Sequence, residues 1–167
     1  PRLGFREIAR PTDSRTLIAA VLPPGSCCNH KILVASPSLS RCQPTEMLFA
    51  LAILNSLTLD YIIRFRVTTG VSMFHFYQLP LPRPIAGNRY FDAIVPRAAR
   101  LTCTRPEFAG LWQQVMGEPW DESKGATDPT ARQALRDELD ALVAHLYGLT
   151  RDDFAHILGT FPLVFPD

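Results

Sequence analysis

Short apolar runs separated by turn residues make up the first part of the chain. Residues 5–10 interleave apolar and polar side chains as a half-buried strand does, and residues 15–22 and 30–35 form two further extended runs. Proline, glycine, asparagine and serine occupy the intervals, which is typical of turns between strands. Because these connections are too short for crossover helices, the pattern predicts an antiparallel or mixed sheet.

Apolar positions then take on helical spacing. A helix is predicted from residues 43–46 to about residue 66, with apolar residues around most of its circumference, as in a helix buried in a core. A membrane span is the alternative interpretation. Polar residues at 55, 56, 58 and 60 interrupt the segment before it reaches the roughly twenty apolar residues that a bilayer requires, so we favour the core helix.

The aromatic-rich residues 71–79 follow, and we predict that they form a strand returning to the sheet. Alternate prolines in residues 80–84 end this strand, because proline cannot donate to a ladder of backbone hydrogen bonds. The proline run is the predicted boundary between two portions of the chain.

The residues after the proline run show apolar spacing typical of helices. A helix is predicted over residues 89–103, a second after a capping-box pattern at 104–107, a third opened by Asp128 and Pro129, and a last one capped by Thr150. Trp112, Leu139 and Leu146 are the predicted core residues of these helices.

The predicted fold class is therefore α+β. It consists of a small, mostly antiparallel or mixed sheet packed on a long buried helix, followed by a C-terminal helical subdomain. We assign residues 1–84 to the sheet-plus-helix portion and residues 85–167 to the helical portion.

Composition adds an asymmetry of charge. The chain is 47% apolar and 20% charged, the balance of an ordinary globular protein. Residues 1–106 carry thirteen basic and five acidic side chains, a net charge of +8, whereas residues 107–167 carry four and eleven, a net charge of −7. This favours a polyanion bound by the first portion. A dipolar surface without a partner remains the alternative.

The cysteines predict neither a disulfide framework nor a typical metal site. Cys27 and Cys28 are adjacent, and Cys42 and Cys103 lie apart, so we expect free thiols in a reducing cytoplasm. A zinc site that combined the first three cysteines with His30 is conceivable, but adjacent ligands make tetrahedral coordination awkward. The first residues show no signal-peptide pattern, which agrees with a cytoplasmic location.

No catalytic motif is present. The chain lacks a phosphate-binding GxxxxGK[ST] loop, a GxGxxG turn, an HExxH helix and a GxSxG elbow, and its four histidines are isolated from one another. We therefore expect no catalytic residue, bound cofactor or metal in this chain.

Three blocks, in this order, carry a family resemblance. They are residues 5–23 (FREIARPTDSRTLIAAVLP), residues 54–64 with 76–82 (LNS, DY and R, then FYQLPLP), and residues 135–149 (LRDELDALVAHLYGL) with Phe154, Ile157 and Leu158. Together they resemble the C-terminal target-recognition region, with its TaqI-like specificity domain, of type IIG and BREX-like adenine-specific DNA methyltransferases. These belong to bacterial restriction-modification and phage-defence systems.

The resemblance implies a DNA-recognition function that is not catalytic by itself. Such methyltransferases use S-adenosylmethionine and an Asn-Pro-Pro-Tyr type motif, some also carry a nuclease, and neither the motif nor a nuclease is present here. The implied partners are double-stranded DNA and an N-terminal methyltransferase domain, with no membrane. The alternatives are a protein-interaction module whose apolar helices pack against a partner, and an intact small enzyme whose site the sequence does not reveal.

Arginine suits the recognition role because its guanidinium binds both phosphates and base edges. The predicted DNA-contacting residues are the basic side chains that we place at strand ends and loops: Arg10, Arg15, Lys31, Arg41, Arg64 and Arg66. We expect the acidic helices after residue 107 to face away from DNA and to pack against the sheet portion or the methyltransferase domain.

Overall fold

A three-stranded antiparallel sheet forms the N-terminal part of the fold. The computed structural model describes residues 1–35, 42–83 and 85–165. The strands are β1 (Arg2–Arg6), β2 (Ala19–Leu22) and β3 (Ile32–Val34), in the spatial order β2-β1-β3. Both neighbours pair antiparallel with β1, which confirms the predicted α+β class and decides between an antiparallel and a mixed sheet.

The register gives the sheet one buried and one outer face. Phe5 lies opposite Ala19 on one side and Leu33 on the other, and these residues belong to or pack against the core. On the outer face, Gly4 lets two apolar side chains approach each other. A Cβ at this position would lie 3.1 Å from Leu22 Cδ1 and 3.4 Å from Ile32 Cγ2.

The predicted long helix is two helices, α1 (Pro44–Leu54) and α2 (Leu57–Arg64), whose axes differ by 61°. The break has one local and one long-range cause. Ser56 caps α2 by accepting a hydrogen bond from the Leu59 N–H, and the Asn55 side chain is bound to the sheet. Among the described residues, no single helix has the length and apolarity to cross a membrane, although α1 and α2 would meet both criteria as one bent pair.

The prediction of a strand over residues 71–79 is wrong, because this segment contains a one-turn helix, α3 (Met73–Tyr77). Ser72 Oγ accepts a hydrogen bond from the His75 N–H, and His75 Nδ1 accepts one from the Ser72 N–H. This reciprocal cap closes a helical turn that the aromatic composition did not predict.

The helices of the second portion begin and end close to the predicted positions. They are α4 (Arg89–Thr102), α5 (Ala109–Met116), α6 (Pro129–Leu146) and α7 (Arg151–Gly159). Asp128 and Thr150 cap α6 and α7 as predicted. The predicted capping box at 104–107 is wrong, since a 3₁₀ turn (Pro106–Phe108) precedes α5 and the N-cap residue of that turn, Arg105, makes no side-chain cap.

One hydrophobic core joins the two portions. It extends from Phe5 in β1 through α1 and α4 to Val143 in α6, so the proline run does not separate two cores. Trp112 and Leu139 are buried as predicted, and Leu146 packs at the edge of the core. The helical portion thus packs against the sheet portion, one of the two arrangements expected for it.

Candidate nucleic-acid interface

A buried carboxylate, that of Asp60 in α2, holds the segment that leads into β2. Its oxygens accept hydrogen bonds from the backbone N–H groups of Leu17 at 2.6 Å and Thr16 at 3.1 Å. Arg64 Nη2 and Arg15 Nε lie 3.3 and 3.6 Å from Asp60 Oδ2. Asp60 itself has no exposed surface. Both arginines therefore act as counter-ions of a buried carboxylate.

Nη atoms of both guanidinium groups also donate to backbone carbonyls inside the fold. Arg64 donates to the backbone carbonyls of Thr160 at 3.3 Å and Asp13 at 3.0 Å, and its guanidinium carbon lies 4.1 Å from the centroid of the Phe161 ring. Arg15 donates to the carbonyl of Asn55. The sequence placed Arg15 and Arg64 among the DNA-contacting residues, but the structure gives both of them a structural role.

Asn55 closes the free edge of β2. Its Oδ1 accepts from the Ala19 N–H and its Nδ2 donates to the Ala19 carbonyl, both at 3.0 Å, as a neighbouring strand would do. The side chains of Asn55 and Asp60 occupy the place of a fourth strand, because they bond to backbone groups of β2 and of the segment before it. They fix the junction of α1 and α2 to the sheet, so the segment after α2 begins from a rigid platform.

The other predicted residues lie at the surface. Arg10 is exposed, and its guanidinium makes no hydrogen bond or ion pair with any residue that the structure describes. Lys31 Nζ lies 3.6 Å from the carboxylate of Glu7, and both side chains are substantially exposed. Arg66 is exposed and donates to the Gln78 carbonyl at 3.1 Å. Arg41 lies outside the described residues.

Backbone pairing brings Arg10, Lys31 and Arg66 to one end of the sheet. The Glu7 N–H donates to the Lys31 carbonyl at 2.9 Å, and the Glu7 carbonyl accepts from the Val71 N–H at 2.7 Å. Ile8 forms a bridge with Gly70, where a Cβ would lie only 3.0 Å from the Glu7 carbonyl oxygen. Lys31 and the loop after Arg66 therefore flank the same extended segment, which continues to Arg10.

Exposed aromatic side chains accompany Arg66 on this part of the chain. Phe65, Phe74 and Tyr77 are 73%, 67% and 68% exposed, respectively. The hydrogen bond from Arg66 to the Gln78 carbonyl holds the two ends of the segment together. We call Phe65, Arg66, Phe74 and Tyr77 the aromatic–arginine surface. Phe65 packs edge-on against Tyr61, with ring centroids 4.9 Å apart, and exposed aromatic residues are typical of interfaces where they make a contiguous patch.

A stacked pair of rings orients α3. Phe76 stacks on Phe5 of β1 with centroids 4.7 Å apart and planes 4° from parallel. With Phe76 turned towards the sheet, Phe74 and Tyr77 are left at the surface. Phe74 and Tyr77 were not among the predicted interface residues, because the sequence pattern predicted a strand for this segment. The Ser72 and His75 capping pair was the available sign of a helix.

The described residues offer no grouping typical of a metal centre or a reactive thiol. They contain no cluster of three or more histidine, cysteine, aspartate or glutamate side chains placed to hold an ion. All four cysteines are free thiols. Burial raises the pKa of Cys103 to about 11, so this thiol stays protonated near neutral pH.

Neither a protein-family model, nor a curated protein, nor a solved structure matches this chain. A functional interpretation must therefore depend on the residues and on their geometry.

Proposed function

We propose that this chain is a DNA target-recognition region that serves an adenine-specific methyltransferase of a restriction-modification or phage-defence system. The observation that carries the proposal is the aromatic–arginine surface, fixed to a rigid platform and flanked by the exposed basic residues Arg10 and Lys31. The candidate interface therefore includes Phe65, Phe74 and Tyr77, and it no longer includes Arg15 and Arg64.

The chemistry of this surface suits nucleic acid. Guanidinium and ammonium groups neutralise phosphates and fix the register of a protein on a duplex. Apolar and aromatic side chains contact thymine methyl groups or wedge between base steps in a groove. The charge asymmetry agrees with this, because the net charge of +8 belongs to residues 1–106, which include the aromatic–arginine surface.

The methyl transfer belongs to a separate domain in this proposal. The three sequence blocks resemble the recognition region of such enzymes, and the chain contains no Asn-Pro-Pro-Tyr type motif. S-adenosylmethionine would therefore bind to the methyltransferase domain, and this chain would select the site at which that domain acts.

Duplex binding as a function of salt tests the proposal. We expect a fluorescently labelled duplex to bind the chain, with affinity falling linearly on a log–log scale between about 50 and 200 mM salt. Arg66→Gln should lower the slope by about 0.9, the value for one phosphate contact. Arg151→Gln is the matched control, since Arg151 is an exposed residue at the start of α7. Equal slopes for both variants and the unmodified chain would rule out Arg66 as a phosphate contact.

A protein-interaction module is the second candidate. Most apolar residues of α1 and α2 are buried in the hydrophobic clusters of the chain itself, which leaves these helices little surface for a partner. The outer face of the sheet offers such a surface, because Ile18 and Ile32 are 41% and 38% exposed there. Binding to a partner protein that is insensitive to salt, without any duplex binding, would favour this candidate.

A further inference from the structure

A cleft of about 600 Å³ lies between the sheet portion and α6, away from the aromatic–arginine surface. Ile18 and Ala20 from the β2 segment line one side, and Leu101 and Phe108 line another. This volume is in the range of small-molecule sites, which combine a mostly apolar lining with a few polar groups.

Two arginines of α6, Arg132 and Arg136, line the same cleft. They are four positions apart on the helix, so their side chains are neighbours and repel each other. Arg132 Nη1 donates to the carbonyls of Leu101 at 3.1 Å and Ala126 at 2.7 Å, which leaves its other nitrogens available. Among the described residues, Arg136 makes a single hydrogen bond, 3.5 Å long, to Gln133. Neither forms an ion pair with a carboxylate among the described residues, whereas Arg97 and Lys124 do.

A buried carboxyl group, that of Asp140, also lines the cleft. One oxygen accepts a hydrogen bond from the Leu57 N–H of α2 at 2.7 Å. The pKa of Asp140 is raised to about 6, chiefly by burial, with smaller contributions from the carboxylates of Asp137 and Asp60, while the Leu57 hydrogen bond and the Arg15 guanidinium lower it. Near and below this pH, the cleft therefore loses a negative charge and becomes more strongly basic.

We propose that this cleft binds a small organic anion, with its carboxylate or phosphate on Arg132 and Arg136 and its apolar body against Ile18 and Phe108. An anion would relieve the repulsion between the two guanidinium groups and accept their unused donors in bidentate geometry. The site shares no residue with the aromatic–arginine surface, so it stands independently of DNA recognition.

Three probes with one skeleton and different charges test the site. Isothermal titration of 2-naphthoate, 2-naphthalenemethanol and 2-naphthylmethylammonium compares an anion, a neutral alcohol and a cation of nearly equal size. We expect saturable one-to-one binding of naphthoate, weaker binding of the alcohol and none of the ammonium. Absence of naphthoate binding, or preference for the ammonium, would overturn the proposal.

Variants locate the anion in the cleft. Arg136→Gln should weaken naphthoate binding about tenfold, because one charge-assisted hydrogen-bond partner is lost. Arg151→Gln is the matched control, since Arg151 is exposed at the start of α7 and does not line the cleft, and it should bind naphthoate like the unmodified chain. Arg136 is exposed and bears no backbone contact, so the variant is expected to fold, as circular dichroism would verify. An equal loss of naphthoate affinity in both variants would contradict the assignment of the anion to the cleft.

The pH profile supplies a second, independent readout. Naphthoate binding should weaken as pH rises from about 5 to about 7, because Asp140 gains its charge in that interval. Asp140→Asn retains a hydrogen-bond acceptor for Leu57 and should abolish this dependence. If Asp140→Asn leaves the pH dependence of naphthoate binding unchanged, Asp140 is not part of the site.

Discussion

Replacing Asp60 by asparagine should cause a large loss of stability. The substitution keeps the shape of the side chain but removes the charge that two guanidinium groups and two backbone N–H groups share. Arg15 and Arg64 are only 25% and 13% exposed at their side chains, so water would replace the lost carboxylate poorly. The amide NH₂ group introduced by the substitution is itself a donor, and it would face the N–H groups that now donate to Asp60.

The expected magnitude is about 3–5 kcal/mol, the cost of removing one partner of a buried ion pair. A domain of this size has a total stability of about 5–15 kcal/mol. At about 2–4 °C per kcal/mol, the melting temperature should fall by about 6–20 °C. Urea titration followed by the fluorescence of the buried Trp112 would measure the free energy of unfolding directly.

Glu122→Gln is the control for Asp60→Asn, since Glu122 is exposed in a surface turn and should change stability by less than about 0.5 kcal/mol. A loss below about 1 kcal/mol for Asp60→Asn would refute the reasoning. It would mean that water, rather than the carboxylate, satisfies the arginines.

Three further predictions concern stability and reactivity. The pKa of Asp140 in the folded chain, about 6, lies above its unfolded value of 3.8, so stability should fall as pH rises from about 4 to 6. Asp140→Asn should flatten this dependence and add up to about 3 kcal/mol at pH 7.5, as thermal melts across pH would show. Asn55→Ala should cost about 2 kcal/mol in urea titrations, because the Ala19 N–H and carbonyl lose their partners at the edge of β2. Cys103, buried and with a pKa of about 11, should react with Ellman's reagent only at the rate of unfolding.

Much of the fold follows from local patterns in the sequence. Caps at Asp128 and Thr150 and the apolar spacing of α4 and α6 fix helices to within a residue or two, because these signals act over a single turn. The long predicted helix failed at Asn55. Its apolar spacing resumes after the polar residues at 55 and 56, so it conceals a break that depends on the Ser56 cap and on hydrogen bonds between Asn55 and Ala19, thirty-six positions away in sequence.

The candidate site was less predictable because charge pairing is non-local. Arg15 and Arg64 were chosen as DNA contacts on composition, yet both bind Asp60, which lies forty-five positions from Arg15. The aromatic–arginine surface was missed for a different reason. The same aromatic residues favour strands, and only the Ser72 and His75 cap makes α3 helical and leaves Phe74 and Tyr77 exposed.

Hydrogen–deuterium exchange of the chain with and without a DNA duplex tests the central claim most directly, since it reports which backbone segments the duplex covers. The proposal predicts slower exchange in residues 64–78 and 7–10, with α6 and α7 unchanged. Protection confined to α6 and α7, or no protection at saturating duplex, would contradict recognition of DNA by the aromatic–arginine surface.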